Sequence, residues 1–207
     1  MNTQTSLPPN ALACNKLIQA FNIKHGAELG VRRGEFTSSL LQQNPKLNMI
    51  AVDIWSNHSS LDEQHPHESN YNTFCENIKS VKDRVIVHKM LTTEACKLVL
   101  DQSLDFIFFD ATHTYESLKQ DIMCWKNKLK PNGFFIGHDY HPYFDNGGMV
   151  RCIEEFMNIK TKLATTGEPY QWNENTDKII DFLMNERGGV VDLTTTCWYS
   201  KKEYSLL

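Results

Sequence analysis

Apolar positions in this chain alternate between short continuous runs and recurrences every three or four residues, the pattern of strands feeding helices. Leu12, Leu17, Ile18 and Phe21 predict an amphipathic helix after Pro8-Pro9, followed by a strand over residues 25–29. Residues 37–43, with Leu40 and Leu41, predict a helix that Asn44-Pro45 ends, because proline disfavours helical backbone in the residue before it. Met49-Ile50-Ala51-Val52-Asp53 is an apolar run closed by an acid, as in a buried parallel strand whose carboxyl end meets a ligand crevice. Tyr71, Phe74, Ile78 and Val81 continue at helical spacing, then a strand over 84–88 and a helix over 92–100. Residues 104–110 form the most apolar run and again end in an acid. Tyr115, Leu118, Ile122, Trp125 and Leu129 then mark one buried helix face.

Pro131-Asn132-Gly133 predicts a turn, after which Phe134 to Gly137 delivers His138-Asp139-Tyr140 to the edge where the earlier acids end. Gly147-Gly148 opens a helix with Val150, Ile153, Phe156 and Met157 on one side. Residues 161–172 read as irregular. A helix over 176–186 has Thr176 as N-cap and glycine at its end, and residues 189–193 and 197–200 predict an antiparallel hairpin. Five strand-helix units and a hairpin imply an α/β fold: a mostly parallel seven-stranded sheet with helices on both faces and ligands at the strands' carboxyl ends. We expect one domain over 1–207, with an N-terminal helical segment at 1–23 and an insertion at 161–188. The polar stretch over 55–69 has no hydrophobic period and is long for a connection, which predicts a lid.

Composition narrows the chemistry. With 207 residues, 41% hydrophobic and 22% charged, the chain can bury one sizeable core, and no stretch approaches the roughly 20 apolar residues a membrane helix needs. The first residues lack a basic start and an apolar core, so a cytoplasmic address is expected. Six scattered cysteines without a C-x-x-C pair predict reduced thiols. A net charge of −4 argues against nucleic acid as partner and for a small molecule.

Glu28-Leu29-Gly30-Val31-Arg32-Arg33-Gly34 stands between the first strand and its helix. Glycine there allows a tight turn and close approach of a ligand to backbone. The spacing is not the G-x-G-x-x-G of a dinucleotide site. Glu28 can accept a hydrogen bond from a cationic ligand's amine, and Asp53 can accept two from ribose hydroxyls; turn formation and helix capping are the structural alternatives.

Four stretches in order, AELGVRRGEF (27–36), AVDIW (51–55), SLDFIFFDATHTYESLKQDIMCWKNKLKPNGFFIGHDY (103–140) and GMVRCIEEF (148–156), resemble class I S-adenosylmethionine-dependent methyltransferases, and more narrowly methyltransferase family 24. The resemblance covers about residues 24–157. It implies a Rossmann-like three-layer αβα sandwich that binds S-adenosylmethionine. Glu28, Gly30, Gly34 and Phe36 would line the methionine end, Asp53 the ribose, and Ile54 or Trp55 the adenine. Leu91 would close over the base, and Asp110 and His113 would complete the cofactor site.

Methyl transfer is an in-line displacement at a sulfonium, so the protein must supply position and a deprotonated acceptor. Deprotonating an alcohol at neutral pH costs on the order of 11 kcal/mol, which a general base eases and a metal lowers directly. His138, Asp139 and Asp110 are the expected catalytic residues. Some related O-methyltransferases hold a divalent ion, and by that resemblance Asp110, His138 and Asp139 would hold magnesium or manganese. His138 departs from the acid found there in relatives and shifts preference away from magnesium. The same resemblance leaves open a metal-dependent oxidative enzyme of the cephalosporin-hydroxylase type, and the fold leaves open a non-catalytic binding module. A homo-oligomer is compatible with either.

Overall fold

A computed structural model describes residues 9–55, 67–163 and 172–205. In chain order the helices are α1 (Pro9–Ala20), α2 (Glu35–Gln43), α3 (His67–Asn77), α4 (Thr92–Ala95), α5 (Tyr115–Trp125), α6 (Gly148–Met157) and α7 (Trp172–Asn185). The strands are β1 (His25–Leu29), β2 (Asn48–Asp53), β3 (Val85–Lys89), β4 (Leu104–Phe109), β5 (Leu129–Gly137), β6 (Ile159–Leu163), β7 (Gly189–Asp192) and β8 (Cys197–Lys201). They form one sheet in the order β3-β2-β1-β4-β5-β8-β7-β6. The first five pair in parallel, whereas β8 is antiparallel to both β5 and β7.

Alternating strand residues feed two cores. Phe106 and Phe108 of β4 face the side covered by α1, α2, α3 and α7, where Leu17, Leu40, Phe74 and Leu183 are buried. Ile107 and Phe109 face the side covered by α4, α5 and α6, with Ala95, Trp125 and Ile153. Period-two alternation thus makes each central strand apolar on both faces, which is why these runs read as continuous.

The expected three-layer α/β architecture holds, with one strand more than predicted. Residues 159–163, Ile-Lys-Thr-Lys-Leu, pair in parallel with β7 at the far edge of the sheet. Exposed Lys160 and Lys162 alternate with half-buried Ile159, Thr161 and Leu163, so only two of five residues are apolar and a half-covered edge strand reads as an irregular segment. Helix α7 begins at Trp172 rather than after a Thr176 cap. The helix expected over 92–100 is one turn followed by a 3-10 turn over Cys96–Leu98. Leu129 opens β5 instead of closing the α5 face, and 131–133 fall within that strand, beside a register shift between Leu104 and Phe106. The lid expectation falls mostly on residues outside those described, and α3 takes up its last residues.

Two features tie the last strand to the edge formed by the strands' carboxyl ends. A Cβ on Gly137 would lie 2.3 Å from the buried Trp198 ring, and the Tyr140 amide donates to the Thr196 carbonyl at 2.9 Å. All six cysteines are free thiols, and no helix among the described residues is long and apolar enough to cross a membrane.

Candidate active site

Parallel registration brings the acids together. Leu29 stands opposite Val52 on one side and Phe109 on the other, and Phe109 opposite Gly137, so the four strands end level. Backbone bonds continue the ladder one step past the strands: Gly30 to Val52 (2.9 Å), Asp110 to Leu29 (2.8 Å) and His138 to Phe109 (3.2 Å). Above this edge lies a cleft of about 980 Å³. Every residue singled out from the sequence as a site candidate lines it except Gly34.

The glycines serve the turn in different ways. Gly30 has φ 87°, and a Cβ there would meet the Asp110 carbonyl oxygen at 2.3 Å, so the first loop can rest against the loop after β4 only as glycine. Gly34, with φ 74°, begins α2, and a Cβ would strike the Phe74 ring at 2.5 Å. Its requirement comes from this left-handed turn and from α3.

Asp53 organises this loop. Its Oδ2 accepts the amides of Val31 (2.9 Å) and Arg32 (2.8 Å), and its Oδ1 accepts the amide of Trp55 (2.8 Å). With two amides on Oδ2 and one on Oδ1, the open lone-pair direction is on Oδ1. The Trp55 indole is buried against Tyr71 and Phe74 and donates to the Arg32 carbonyl at 2.7 Å. Ile54 and the half-exposed Leu91 supply the more accessible apolar wall. Phe36 stacks on Phe108 at 4.0 Å beneath the floor.

Glu28 is 2% exposed and accepts the Thr37 hydroxyl. Burial pushes its carboxyl well above the usual carboxylate range; the Thr37 bond opposes this, and the charges of Asp110 and Asp53 add to it. No cation of the protein pairs with it among the described ion pairs.

On the opposite wall, His113 and His138 converge on two carboxylates. His113 Nε2 lies 2.7 Å from Asp139 Oδ2 and 3.5 Å from Asp110 Oδ1. His138 Nδ1 lies 3.2 Å from Asp139 Oδ1 and 3.7 Å from Asp110 Oδ1. Burial opposes charge on both rings, but the two carboxylates outweigh it and push His113 up to about 9 and His138 up to about 10. Burial would raise Asp139, yet the two imidazoles hold it well below the usual range. Phe144 stacks on the His113 ring at 4.7 Å. The neighbouring Asp145 accepts the Tyr115 amide at 2.9 Å. Sequence reasoning missed both residues, which sit in an irregular turn without periodicity.

The His113 Nε2 atom is buried, and its N–H is aligned with neither carboxylate despite the short separation. Three ligand atoms, from Asp110, His113 and Asp139, lie within 4.8 Å of one another. An imidazole nitrogen and carboxylate oxygens that converge without bonding one another fit a divalent cation, and a mixed N/O set suits manganese, iron or zinc better than magnesium. His138, the third ligand expected by resemblance, is not among those three; Asp139, whose φ is 59°, presents Oδ2 to His113 and Oδ1 to His138.

A second, more open groove of about 640 Å³ runs between α1 and α7, where Lys16 and Asp177 pair at 2.9 Å. It collects no comparable group of reactive side chains.

A family model described as a methyltransferase domain matches residues 27–140. No curated protein matches the chain. Among solved structures, the fold resembles an O-methyltransferase from Bacillus cereus in complex with S-adenosylhomocysteine, at 17% identity and TM-score 0.53 over 74% of this chain and 70% of that one. It also resembles the O-methyltransferase TomG from Streptomyces achromogenes in complex with S-adenosylmethionine, at 16% identity and TM-score 0.52 over 72% of this chain and 68% of that one. A candidate caffeoyl-CoA O-methyltransferase from Staphylococcus aureus aligns at 17% identity and TM-score 0.52 over 64% of this chain, which spans only 60% of that protein's length.

Proposed function

The chain belongs to the methyltransferase-domain family whose model covers its first five strands, and on that premise we propose that it moves the methyl group of S-adenosylmethionine to an oxygen of a small molecule. Glu28 carries this reading. An unpaired, buried carboxyl at the base of a cleft favours a ligand that brings its own positive charge, and the donor carries an ammonium and a sulfonium.

In this reading Glu28 and the Gly30 loop take the methionine end. The remaining lone pair of Asp53 Oδ1 takes a ribose hydroxyl, and Ile54 and Leu91 flank the base. The acceptor oxygen attacks the methyl carbon as the carbon–sulfur bond breaks, leaving S-adenosylhomocysteine and one proton to be removed. His138 is the proton acceptor: Asp139 orients Nδ1 and leaves Nε2 for the acceptor hydroxyl. The charges of Asp110 and Asp139 keep that imidazole protonated at neutral pH, so it becomes a base only when those charges are balanced. A divalent cation held by Asp110, His113 and Asp139 would supply that balance and would polarise the acceptor oxygen.

Calorimetric titration with S-adenosylhomocysteine should give saturable one-site binding, and label from methyl-tagged S-adenosylmethionine should pass to a member of a panel of small hydroxylated compounds. Absence of any binding heat at millimolar ligand would refute the cofactor assignment. Label recovered on nitrogen or sulfur acceptors alone would refute the preference for oxygen.

A further inference from the structure

Helix α4 is four residues long, far shorter than a helix that holds itself in water, so the chain segment after β3 must be positioned by its neighbours. Its polar neighbours come from α5. Asp121 Oδ1 accepts the Thr92 hydroxyl, and the Trp125 indole N–H donates to the Thr92 carbonyl at 3.1 Å. Residues 121 and 125 are one turn apart and share a helix face, so a single rigid surface grips both the side chain and the backbone of Thr92. Met90, Leu91 and Thr92 line the cleft, while Asp121 and Trp125 do not.

We propose that Asp121 and Trp125 are positioning residues for cofactor binding, a two-point clamp that sets the height of residues 90–92 over the adenine. This rests on the reading of the cleft as an S-adenosylmethionine site. Asp121 is only 5% exposed, and Thr92 is its hydrogen-bond partner. Burial pushes its carboxyl up to about 6 against the opposing Thr92 bond. A buried carboxylate is costly where an apolar residue would pack as well, and Trp125 is itself wholly buried. The expense is intelligible if the hydroxyl of Thr92 has to be held at one place. The clamp also accounts for Thr92 lying on the cleft although α4 has no side-chain cap of its own.

The test is a double-mutant cycle read by calorimetry with two probes, S-adenosylhomocysteine and 5′-methylthioadenosine, the second lacking the amino-acid end. Asp121→Leu and Thr92→Val should each weaken both probes by about tenfold, the worth of one positioned hydrogen bond, and the double variant should lose no more than either alone. Asp121→Asn, which still accepts from Thr92, should restore affinity to within about threefold. Trp125→Phe keeps an aromatic ring but loses the indole N–H together with part of the ring system, and should weaken both probes severalfold. Folding of each variant is followed by thermal denaturation. Folded variants that bind both probes as tightly as the parent would overturn the clamp and leave the cofactor reading standing. Loss confined to S-adenosylhomocysteine would also overturn it, since the defect would then lie away from the base. If the parent protein itself binds neither probe, the cofactor reading falls and the clamp falls with it. Should Asp121→Leu fail to fold, Thr92→Val and Trp125→Phe decide the matter by the same criteria.

Discussion

Replacing Glu28 by Gln should make the protein more stable and a poorer binder of its cofactor, with both effects depending on pH in a calculable way. The native carboxyl is raised above its ordinary value of 4.5 by burial, so between 4.5 and its native value the folded chain holds a proton that the unfolded chain has released. Stability conferred by this group is therefore complete below 4.5 and is lost as pH rises through the native value. The slope is about 1.4 kcal/mol per pH unit, or roughly 3–5 °C in Tm for a domain of this size. Glutamine has no proton to lose, so the Tm of Glu28→Gln minus that of the parent should grow with pH across this window. Binding runs the other way. A cationic ligand needs the ionised carboxylate, and a hydrogen bond to a charged acceptor is worth roughly 1.5–3 kcal/mol, so the variant should bind S-adenosylhomocysteine about ten- to a hundredfold more weakly. The parent should release a proton on binding, visible as a dependence of the binding heat on the buffer's ionisation enthalpy, and the variant should not. A Tm difference that does not change with pH, or equal affinity in the two proteins, would refute the argument that this acid is buried in wait for a positive charge.

Other outcomes follow from the same geometry. Gly30→Ala forces a Cβ to within 2.3 Å of the Asp110 carbonyl at a φ that side chains resist; urea denaturation should show a loss of about 2 kcal/mol or more, and cofactor binding should vanish. His113 and His138 are raised above 6.5, so their contribution to stability is present below that pH and is lost as pH climbs through about 9 to 10. With chelator present, Asp139→Asn should flatten this decline, and NMR titration should show both imidazoles moving down toward 6.5; unchanged imidazole titration would show the pairing to be wrong. Manganese binding followed by electron paramagnetic resonance should fall at least about tenfold in Asp110→Asn and His113→Ala while His138→Ala retains it, the reverse pattern restoring His138 as the ligand.

The central strands were legible because their inward residues are apolar on both faces, and a strand closed by an acid reads the same in sequence as in space. Glu28, Asp53, Asp110 and His138-Asp139 therefore came out as one edge without coordinates. What the pattern could not carry was anything decided across elements. Strand β6 escaped because its lysines follow from an edge position, and an edge is a property of the sheet, not of five residues. Gly34 reads as part of the cofactor loop because its spacing fits one; the Phe74 ring that a Cβ there would strike lies forty residues on, where spacing gives no sign of it. Which oxygen of Asp139 each imidazole meets, Oδ2 for His113 and Oδ1 for His138, is placed in space by the fold, and no spacing in the sequence carries it. Asp121 carries no signal in the sequence, because its partner Thr92 lies twenty-nine residues away on another helix.

The ring of Trp198, seated where Gly137 has no side chain, ties one wall of the cleft to the last hairpin of the chain. His138 and Asp139 follow Gly137 directly, and β8 lies antiparallel between β5 and β7. The contact joins residues about sixty positions apart, a non-local closure of the kind that slows folding. The Glu28 and Asp53 end of the cleft stands on β1 and β2, strands the hairpin does not pair with, so the two walls answer to different parts of the chain.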